Sequence, residues 1–322
     1  MRPFIVLASL VAASLSTPAL AQGRAYPDKP LKVVVGFPPG GASDVAARAV
    51  GTKLAERLGQ PVVIDNRAGA ASNIGSEMVA RSPADGYTVL LGTISLSVNP
   101  SLYPKLAYDP LKDFEAVSQL CSSPFLLVVH PATPYKTLAD LLAAAKSAPA
   151  PLLYATAGNG SGAHLFMEYF ASSAGIKLAA VPYKGAAPAM NDVLAGAVPI
   201  TFDNIITTLP LHKAGRLRAL AVSSRTRSAV APDIASLQEL GIANYDGTAW
   251  FGFFVPAGTQ ADIVRKLHEE TVQSLRDPQV RERLLTLGCE PVGSSPAEFG
   301  RFFRAEVAKW GKVVRDAKMQ ID

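Results

Sequence analysis

Two glycine-rich turns carry backbone groups that could bind a small anion. The first reads GFPPGGASD over residues 36–44, and the second reads GNGSGAH over residues 158–164. Each follows an apolar segment typical of a β-strand and precedes a segment with apolar residues at helical spacing. The first amides of such a helix have no partner inside the helix, and the helix dipole makes that end partly positive. Glycine lets a ligand approach the backbone closely, so Gly40, Gly41 and Gly160 are candidate binding residues, together with Ser161.

The composition of the first turn favours a carboxylate over a phosphate. The turn contains no Lys, Arg or His, and the phosphate-binding motifs GxxxxGK[ST] and GxGxxG are absent from the sequence. We interpret Ser43 and Asp44 as caps of the helix that follows, because an Asp44 directed at the ligand would repel an anion. From these residues alone, a turn that only connects a strand to a well-capped helix is an equally good interpretation.

Four further residues could complete such a site. Ser72 and Thr93 stand at junctions between a strand and a helix and could donate from their hydroxyl groups. Lys184 is a basic residue beside a candidate loop, although a solvated surface lysine is the commoner case. Asp203 ends a predicted strand, where it could order a water molecule, accept from a ligand N–H or cap a turn.

A second hypothesis makes the protein a secreted hydrolase or transferase that uses Ser161 and His164. The GxSxG motif of a nucleophile elbow is not satisfied, and three residues separate the serine from the histidine. The spacing therefore favours a structural role for His164 behind the loop. The four histidines are isolated and no CxxC motif occurs, so we expect no metal and no cofactor.

Charge and the N-terminal segment indicate an exported protein. The segment MRPFIVLASLVAASLSTPALA has one positive charge, an apolar run and the cleavage signature Ala19-Leu20-Ala21, so residues 1–21 are predicted to be a signal peptide. Its removal lowers the net charge from +5 to +4, without a basic block that would indicate nucleic acid as a partner. The expected location is the periplasm of a Gram-negative bacterium.

The chain has two cysteines. In an oxidising periplasm, Cys121 and Cys289 could form a disulfide or remain two buried thiols, and the sequence favours neither.

The order of strand-like and helix-like segments predicts an α/β protein with two lobes. Strand, turn and helix alternate from residue 31 to residue 93, which is typical of a parallel sheet with helices on its faces. A second alternating block follows a proline-rich stretch, and two long apolar strands, near residues 125 and 250, bracket that block. We therefore expect a first lobe from residues 22–123, a second from residues 124–247, and a return to the first over residues 248–322. The C-terminal apolar stripe of Phe299, Phe303, Trp310 and Val314 should pack on the first lobe.

Several segments in order resemble the tripartite tricarboxylate transporter receptor family, also called Bug or TctC-like receptors. The resemblance covers nearly the whole chain after the leader and departs from the family pattern near DIASLQELGIANYDG, where a Pro-Thr pair is usual. It rests on the following segments: YPDKPLKVVVGFPPGGASDVAAR, VIDNRAGAASNIGSEMVARSPADGYTVLLGT, NPSLY, YDPLKDFEAVSQL, VPYKGAAPAMNDVLAG, FDN, KAGRLRALAVSS and WFGFFVPAGT.

This resemblance implies a type II-like periplasmic binding protein, with a mixed, helix-flanked sheet in each lobe and a hinge of two strands. It implies a non-enzymatic receptor, expected to be a monomer, that captures a small mono- or dicarboxylate and delivers it to the permease subunits of a membrane transporter. A sensor adaptor for a signalling protein would share the same cleft. The implied cleft walls include Ala42, Ile94 and Asn159, and the implied ligand-binding residues are Phe37, Gly40, Gly41, Ser72, Thr93, Gly160, Ser161, Lys184 and Asp203.

Overall fold

The computed structural model describes residues 26–183, 185–316 and 318–319, in which strands and helices alternate as predicted. The strands are β1 (Leu31–Val35), β2 (Val62–Asn66), β3 (Thr88–Thr93), β4 (Phe114–Val129), β5 (Leu152–Thr156), β6 (Leu178–Pro182), β7 (Ile200–Asn204), β8 (Arg218–Val222), β9 (Thr248–Pro256) and β10 (Glu290–Pro291). The helices are α1 (Ala42–Leu58), α2 (Asn73–Ala80), α3 (Ile94–Leu102), α4 (Leu138–Ser147), α5 (Gly162–Ala174), α6 (Ala186–Leu194), α7 (Ile205–Lys213), α8 (Ala261–Arg276), α9 (Pro278–Thr286) and α10 (Pro296–Asp316).

The sheet is mixed, and helices cover its faces. Its strand order is β2-β1-β3-β9-β4-β7-β5-β6, and both β8 and β10 also pair with β4. Strands β2, β1 and β3 are parallel, as are β6, β5 and β7, whereas β4 runs antiparallel to all of its partners. The valines of β1 are fully buried, which explains why a short continuous apolar run forms a central strand here.

Strand β4 changes partners in its middle. Its residues 114–124 pair with β9, while residues 125–129 lie between β7 and β8. We define the first sheet region as β1, β2, β3, β9, β10 and residues 114–124 of β4. The second sheet region is β5, β6, β7, β8 and residues 125–129 of β4.

Each sheet region has its own buried apolar residues. The first region buries apolar residues on both faces, Val33 and Phe253 on one and Phe254 on the other, whereas Leu127 and Phe166 are buried in the second region. We call these two sets the first and the second core. Helix α3 begins after Thr93, at the predicted junction of strand and helix, but it extends past Asn99 into the proline-rich stretch and contains Pro100. Its residues Val98 and Leu102 pack into the second core, although β3, which precedes it, belongs to the first.

Helix α10 contacts both cores, which corrects one prediction. Phe299 and Phe303 pack in the first core as expected, but Trp310 and Val314 pack in the second. The ring of Trp310 lies 5.3 Å from that of Phe166, between ring centres. The helix is long enough to reach both, so the prediction that the whole stripe packs on one lobe was wrong.

A buried carboxylate joins α10 to the sheet where the two cores meet. Glu306 is 4% exposed and accepts from the indole Nε1–H of Trp250 at 3.2 Å and of Trp310 at 2.8 Å. Lys309 forms an ion pair with the same carboxylate and donates to the carbonyl oxygen of Asp246. These contacts satisfy a charge that burial would otherwise penalise.

The structure joins the two cysteines, a choice that the sequence left open. Cys121 of β4 and Cys289, just before β10, form a disulfide between residues that are fully buried. The proposed signal peptide lies outside the described residues. Within the described part of the chain, no helix is both long and apolar enough to cross a membrane.

Candidate functional site

A cavity of about 630 Å³ opens between the two sheet regions. Its volume is in the usual range for small-molecule sites. The described lining residues contain no charged side chain. They are Phe37, Pro38, Pro39, Gly41, Ala42, Ser43, Ala71, Thr93, Ile94, Ser95, Val98, Asn99, Leu102, Tyr103, Phe125, Asn159, Gly160, Ser161, Gly162, Leu165, Ala249 and Phe251.

Three helices begin at this cavity. Their N-terminal caps are Gly41 for α1, Thr93 for α3 and Ser161 for α5, and all three caps line the cavity. The first amides of each helix lack partners within the helix, and each N-terminus carries a partial positive charge. The cavity is therefore electrostatically suited to an anion although its described lining has no cationic side chain.

The three helix starts differ in how their amides are used. The Thr93 hydroxyl accepts from the Ser95 amide at 3.2 Å, and the Ser161 hydroxyl accepts from the His164 amide at 3.3 Å. Gly41 has no side chain to cap α1. The first turn of α1 therefore presents uncapped amides to the cavity.

Asp44 does not cap α1, contrary to our interpretation of the sequence. Its carboxylate instead accepts from the backbone N–H of Gly40, which precedes the N-cap residue, at 2.9 Å, from Arg48 and from Asn66. These bonds, led by the one from Arg48, lower the pKa of Asp44 to about 2. The carboxylate thus fixes the turn from behind, and as expected it does not line the cavity.

The second turn is fixed by a similar set of bonds. The backbone N–H of Gly160 donates to Nδ1 of His164 at 3.1 Å, and the hydroxyl groups of Ser161 and Thr156 lie 2.8 Å apart. Burial lowers the pKa of His164, which keeps the ring neutral and able to accept. His164 therefore supports the loop from behind, as its position in the sequence indicated.

A strained segment forms another part of the cavity wall. Ala70, Ala71 and Ser72 have φ values of 46°, 50° and 77°, the left-handed region that residues with a side chain seldom adopt. Asn99 donates from its Nδ2 to the Ala71 carbonyl oxygen and to Oδ1 of Asn73. Gly36 permits this arrangement, because a Cβ atom there would lie 1.9 Å from the Ser72 hydroxyl oxygen.

The structure brings part of the predicted residue set to the cavity. Phe37, Gly41, Thr93, Gly160 and Ser161 line it, as do the implied wall residues Ala42, Ile94 and Asn159. Three other predicted ligand-binding residues do not line the cavity.

Gly40, Ser72 and Asp203 are not among the lining residues. The Gly40 amide is bound to Asp44, and Ser72 packs against Gly36. Asp203 is half-buried on β7, where it accepts from the Asn204 amide at 2.7 Å and burial raises its carboxyl pKa to about 6. Lys184 lies outside the described residues.

Most of the apolar lining could not be predicted directly from the sequence. Ile94, Val98 and Leu102 follow one another at intervals of four residues, the spacing of one helix face, so α3 itself was detectable. Phe125, Leu165 and Phe251 come from three other elements that only the tertiary fold brings to the cavity.

The arrangement gives little support to nucleophilic catalysis. Ser161 and His164 are joined by a bond from the histidine backbone N–H, whereas the imidazole Nδ1 accepts from Gly160. In the described residues this ring is thus not poised to take a proton from the serine. The same residues contain no group of three His, Cys, Asp or Glu side chains suited to a metal ion.

Comparison with known proteins identifies the family of the chain. Residues 46–319 match the model of the tripartite tricarboxylate transporter family receptor, TctC. The chain is 37% identical over 309 residues to Protein BugT of Bordetella pertussis, which covers 95% of this chain and 94% of that protein.

Two solved relatives contain ligands. R. palustris Rpa4515 with adipate is 36% identical, with a TM-score of 0.77 over 92% of this chain and 100% of that one. MatC from Rhodopseudomonas palustris with bound malate is 31% identical, with a TM-score of 0.74 over 90% and 100% of the two chains. The protein therefore has a periplasmic binding protein fold and belongs to the tripartite tricarboxylate transporter receptor family, TctC.

Proposed function

We propose that the protein is an exported receptor that binds a small organic acid between its two sheet regions and delivers it to the permease subunits of a tripartite tricarboxylate-type transporter. One observation carries the proposal: three helix N-termini meet in a cavity whose described lining has no charged side chain. The adipate and malate bound by the two solved relatives support a carboxylate as the ligand.

The carboxylate group would be held by neutral donors. The uncapped first turn of α1 offers the amides of Ala42 and Ser43, and the start of α5 offers that of Gly162. Hydrogen bonds to an ionised acceptor are stronger than those between neutral groups, and the three helix dipoles add to them. A neutral analogue of the ligand would gain little from either effect.

We further propose that the two sheet regions move as lobes about β4 and β9. The predicted boundary at residues 123 and 124 falls next to the point where β4 exchanges β9 for β7 and β8. The second predicted boundary, at residues 247 and 248, falls at the start of β9. Hinge closure around a ligand in the cavity would then bring the loops at Gly41 and Gly160 together.

Export is part of the proposal. The sequence pattern of residues 1–21 and the buried disulfide between Cys121 and Cys289 both suit an oxidising compartment. Intact-mass measurement of protein from the periplasmic fraction should give a chain that begins at Gln22.

The experiment that tests the proposal is a thermal-shift and calorimetric comparison of acids with their amides. The chain from residue 22 is unfolded and refolded to remove any carried ligand, then mixed with aliphatic, aromatic and dicarboxylic acids at neutral pH. A ligand at about a hundred times its Kd stabilises the fold by roughly 2.7 kcal/mol. We expect at least one acid to raise the Tm and its carboxamide analogue to have no effect. Equal stabilisation by acid and amide, or none by any acid, would contradict the proposal.

Delivery to a permease needs a test in cells. Uptake of the labelled acid should require both this protein and the permease subunits, and the protein should elute as a monomer with and without ligand. Unchanged uptake in a strain that lacks only this protein would instead favour a sensor adaptor. We also expect no turnover of the bound acid, which product analysis after prolonged incubation checks.

A further inference from the structure

We infer that the ligand is a monocarboxylate whose other end is an uncharged alkyl or aryl group. This rests on the proposed function, in which the acid group binds at the three helix N-termini. It distinguishes the protein from the two solved relatives, whose ligands, adipate and malate, are dicarboxylates.

The lining of the cavity changes from polar to apolar along α3. Thr93 and Ser95 stand at the start of this helix, beside the two glycine turns. Further along the same helix, Val98 and Leu102 line the cavity. Ile94 and Leu102 are eight residues apart, so the helix carries the cavity wall over about 12 Å.

The facing walls continue the apolar surface. Phe125 of β4 and Leu165 of α5 line the cavity from the second sheet region, and both are at least nine-tenths buried. Ala249 and Phe251 of β9 line it from the first region. Hydrocarbon side chains from four elements thus line the cavity, with Phe125 against Gly162 and Phe251 paired with Thr93, which favours a ligand that is hydrocarbon apart from its acid group.

The buried polar residue of this wall has no N–H left for a second carboxylate. Both hydrogens of the Asn99 amide are used, one by the Ala71 carbonyl oxygen at 2.9 Å and one by Oδ1 of Asn73 at 2.7 Å. Its own Oδ1 is an acceptor and would repel a carboxylate. In the described lining no Lys, Arg or His could compensate. A second carboxylate beside Val98 and Leu102 would therefore exchange its full hydration for the single hydroxyl group of Tyr103, which is a net loss.

The test compares pairs of acids that differ only at the far end. Hexanoate and adipate have the same carbon chain, with a methyl group in one where the other has a second carboxylate. The pair 4-methylbenzoate and terephthalate makes the same comparison on a ring. We expect the refolded chain from residue 22 to bind the monoacid of the better pair at least about tenfold more tightly by calorimetry.

The possible outcomes separate the two proposals. Equal or tighter binding of the diacids would overturn this inference and leave a carboxylate receptor in place. Stabilisation by no acid at all would remove the proposed function, and this inference with it.

Two substitutions test whether these walls cause the selectivity. Leu102→Arg places a cation at the apolar end and should shift the affinity ratio towards the diacid by about tenfold or more. Val98→Thr changes shape little, adds a hydroxyl donor and should lower the ratio by a few-fold, which keeps the test available if the arginine variant does not fold. Leu153→Arg is the matched control, because it adds the same cation at an exposed position of β5 that does not line the cavity, and it should preserve the ratio. An unchanged ratio in a folded Leu102→Arg or Val98→Thr variant would contradict the inference.

Discussion

The side-chain amide of Asn99 donates a hydrogen bond of 2.9 Å to the carbonyl oxygen of Ala71. This bond connects α3 to three successive left-handed residues, of which Ala71 lines the cavity. Left-handed backbone is unfavourable for residues with a side chain, so the segment needs such contacts to keep its conformation.

Replacing Asn99 by leucine should therefore affect both stability and binding. We expect the free energy of unfolding to fall by roughly 1–3 kcal/mol, because the Ala71 carbonyl and the Asn73 side chain lose their donor. Ligand affinity should also decrease, since Ala71 lines the cavity. Urea unfolding and calorimetry measure the two effects. Tyr108→Phe is the control, as it removes a different bond to Asn73 and leaves the contact with Ala71; similar binding losses in both variants would contradict a specific role for Asn99.

The missing cap of α1 predicts opposite changes in stability and binding. Gly41 has extended backbone angles, φ −74° and ψ 167°, which are those of an ordinary N-cap residue. Gly41→Asp should cap the helix and stabilise the fold by roughly a few tenths of a kcal/mol. The same carboxylate should occupy the amides proposed to hold the ligand and weaken acid binding by about a hundredfold.

Gly41→Ala separates this effect from simple crowding. A Cβ atom at this position would lie 3.6 Å from its nearest neighbour, the Pro38 carbonyl oxygen, so alanine fits. We expect it to bind acids within a few-fold of the original chain. If Gly41→Asp retained full affinity, the amides of α1 would not be the anion site.

Loss of the disulfide should lower stability without changing the ligand. Cys121 and Cys289 are 168 residues apart, so the bond restricts a long loop of the unfolded chain. The Cys121→Ala/Cys289→Ala variant should lose about 4 kcal/mol in urea unfolding. Reductant should shift the unfolding midpoint of the original chain in the same direction and leave that of the variant unchanged. A midpoint of the original chain that does not respond to full reduction would contradict this.

The raised pKa of Asp203 should make the free energy of unfolding depend on pH. Burial raises its pKa to about 6, above the ordinary value of 3.8, so the folded state binds the proton more tightly than the unfolded state. Its contribution to stability is therefore largest below the ordinary pKa and is lost as the pH rises through about 6.

The neutral variant Asp203→Asn should remove this dependence. We expect its stability relative to the original chain to be greater at pH 7 than at pH 5, as measured by urea unfolding at both values. Because all other groups are common to the two proteins, their titrations cancel in the difference. An equal difference at both pH values would show that Asp203 has an ordinary pKa.

The sequence predicted those parts of the site that local structure determines. Gly41, Thr93 and Ser161 stand where a strand ends and a helix begins, and that junction can be recognised from a few neighbouring residues. The side-chain partners of the turns could not be predicted in the same way. Asp44 was interpreted as a helix cap. Its bond from Asn66 depends on how β2 lies beside α1, which neighbouring residues in the sequence do not show.

The apolar lining was hidden for a related reason. Phe125, Leu165 and Phe251 are ordinary core residues in the sequence, and only the packing of β4, α5 and β9 exposes them to one cavity. Trp310 is a similar case. The apolar stripe that contains it was predicted, but its packing in the second core was not.

The environment of Glu306 gives the chain an internal optical sensor. The sequence contains two tryptophans, and both donate to Oε2 of this carboxylate, at the place where the two cores meet. Tryptophan fluorescence responds to a charged group within hydrogen-bond distance of the indole. A rotation of one sheet region against the other should therefore change the emission wavelength or intensity. Hinge closure can thus be followed in real time in unlabelled protein, with Trp250→Phe and Trp310→Phe assigning the signal to each side.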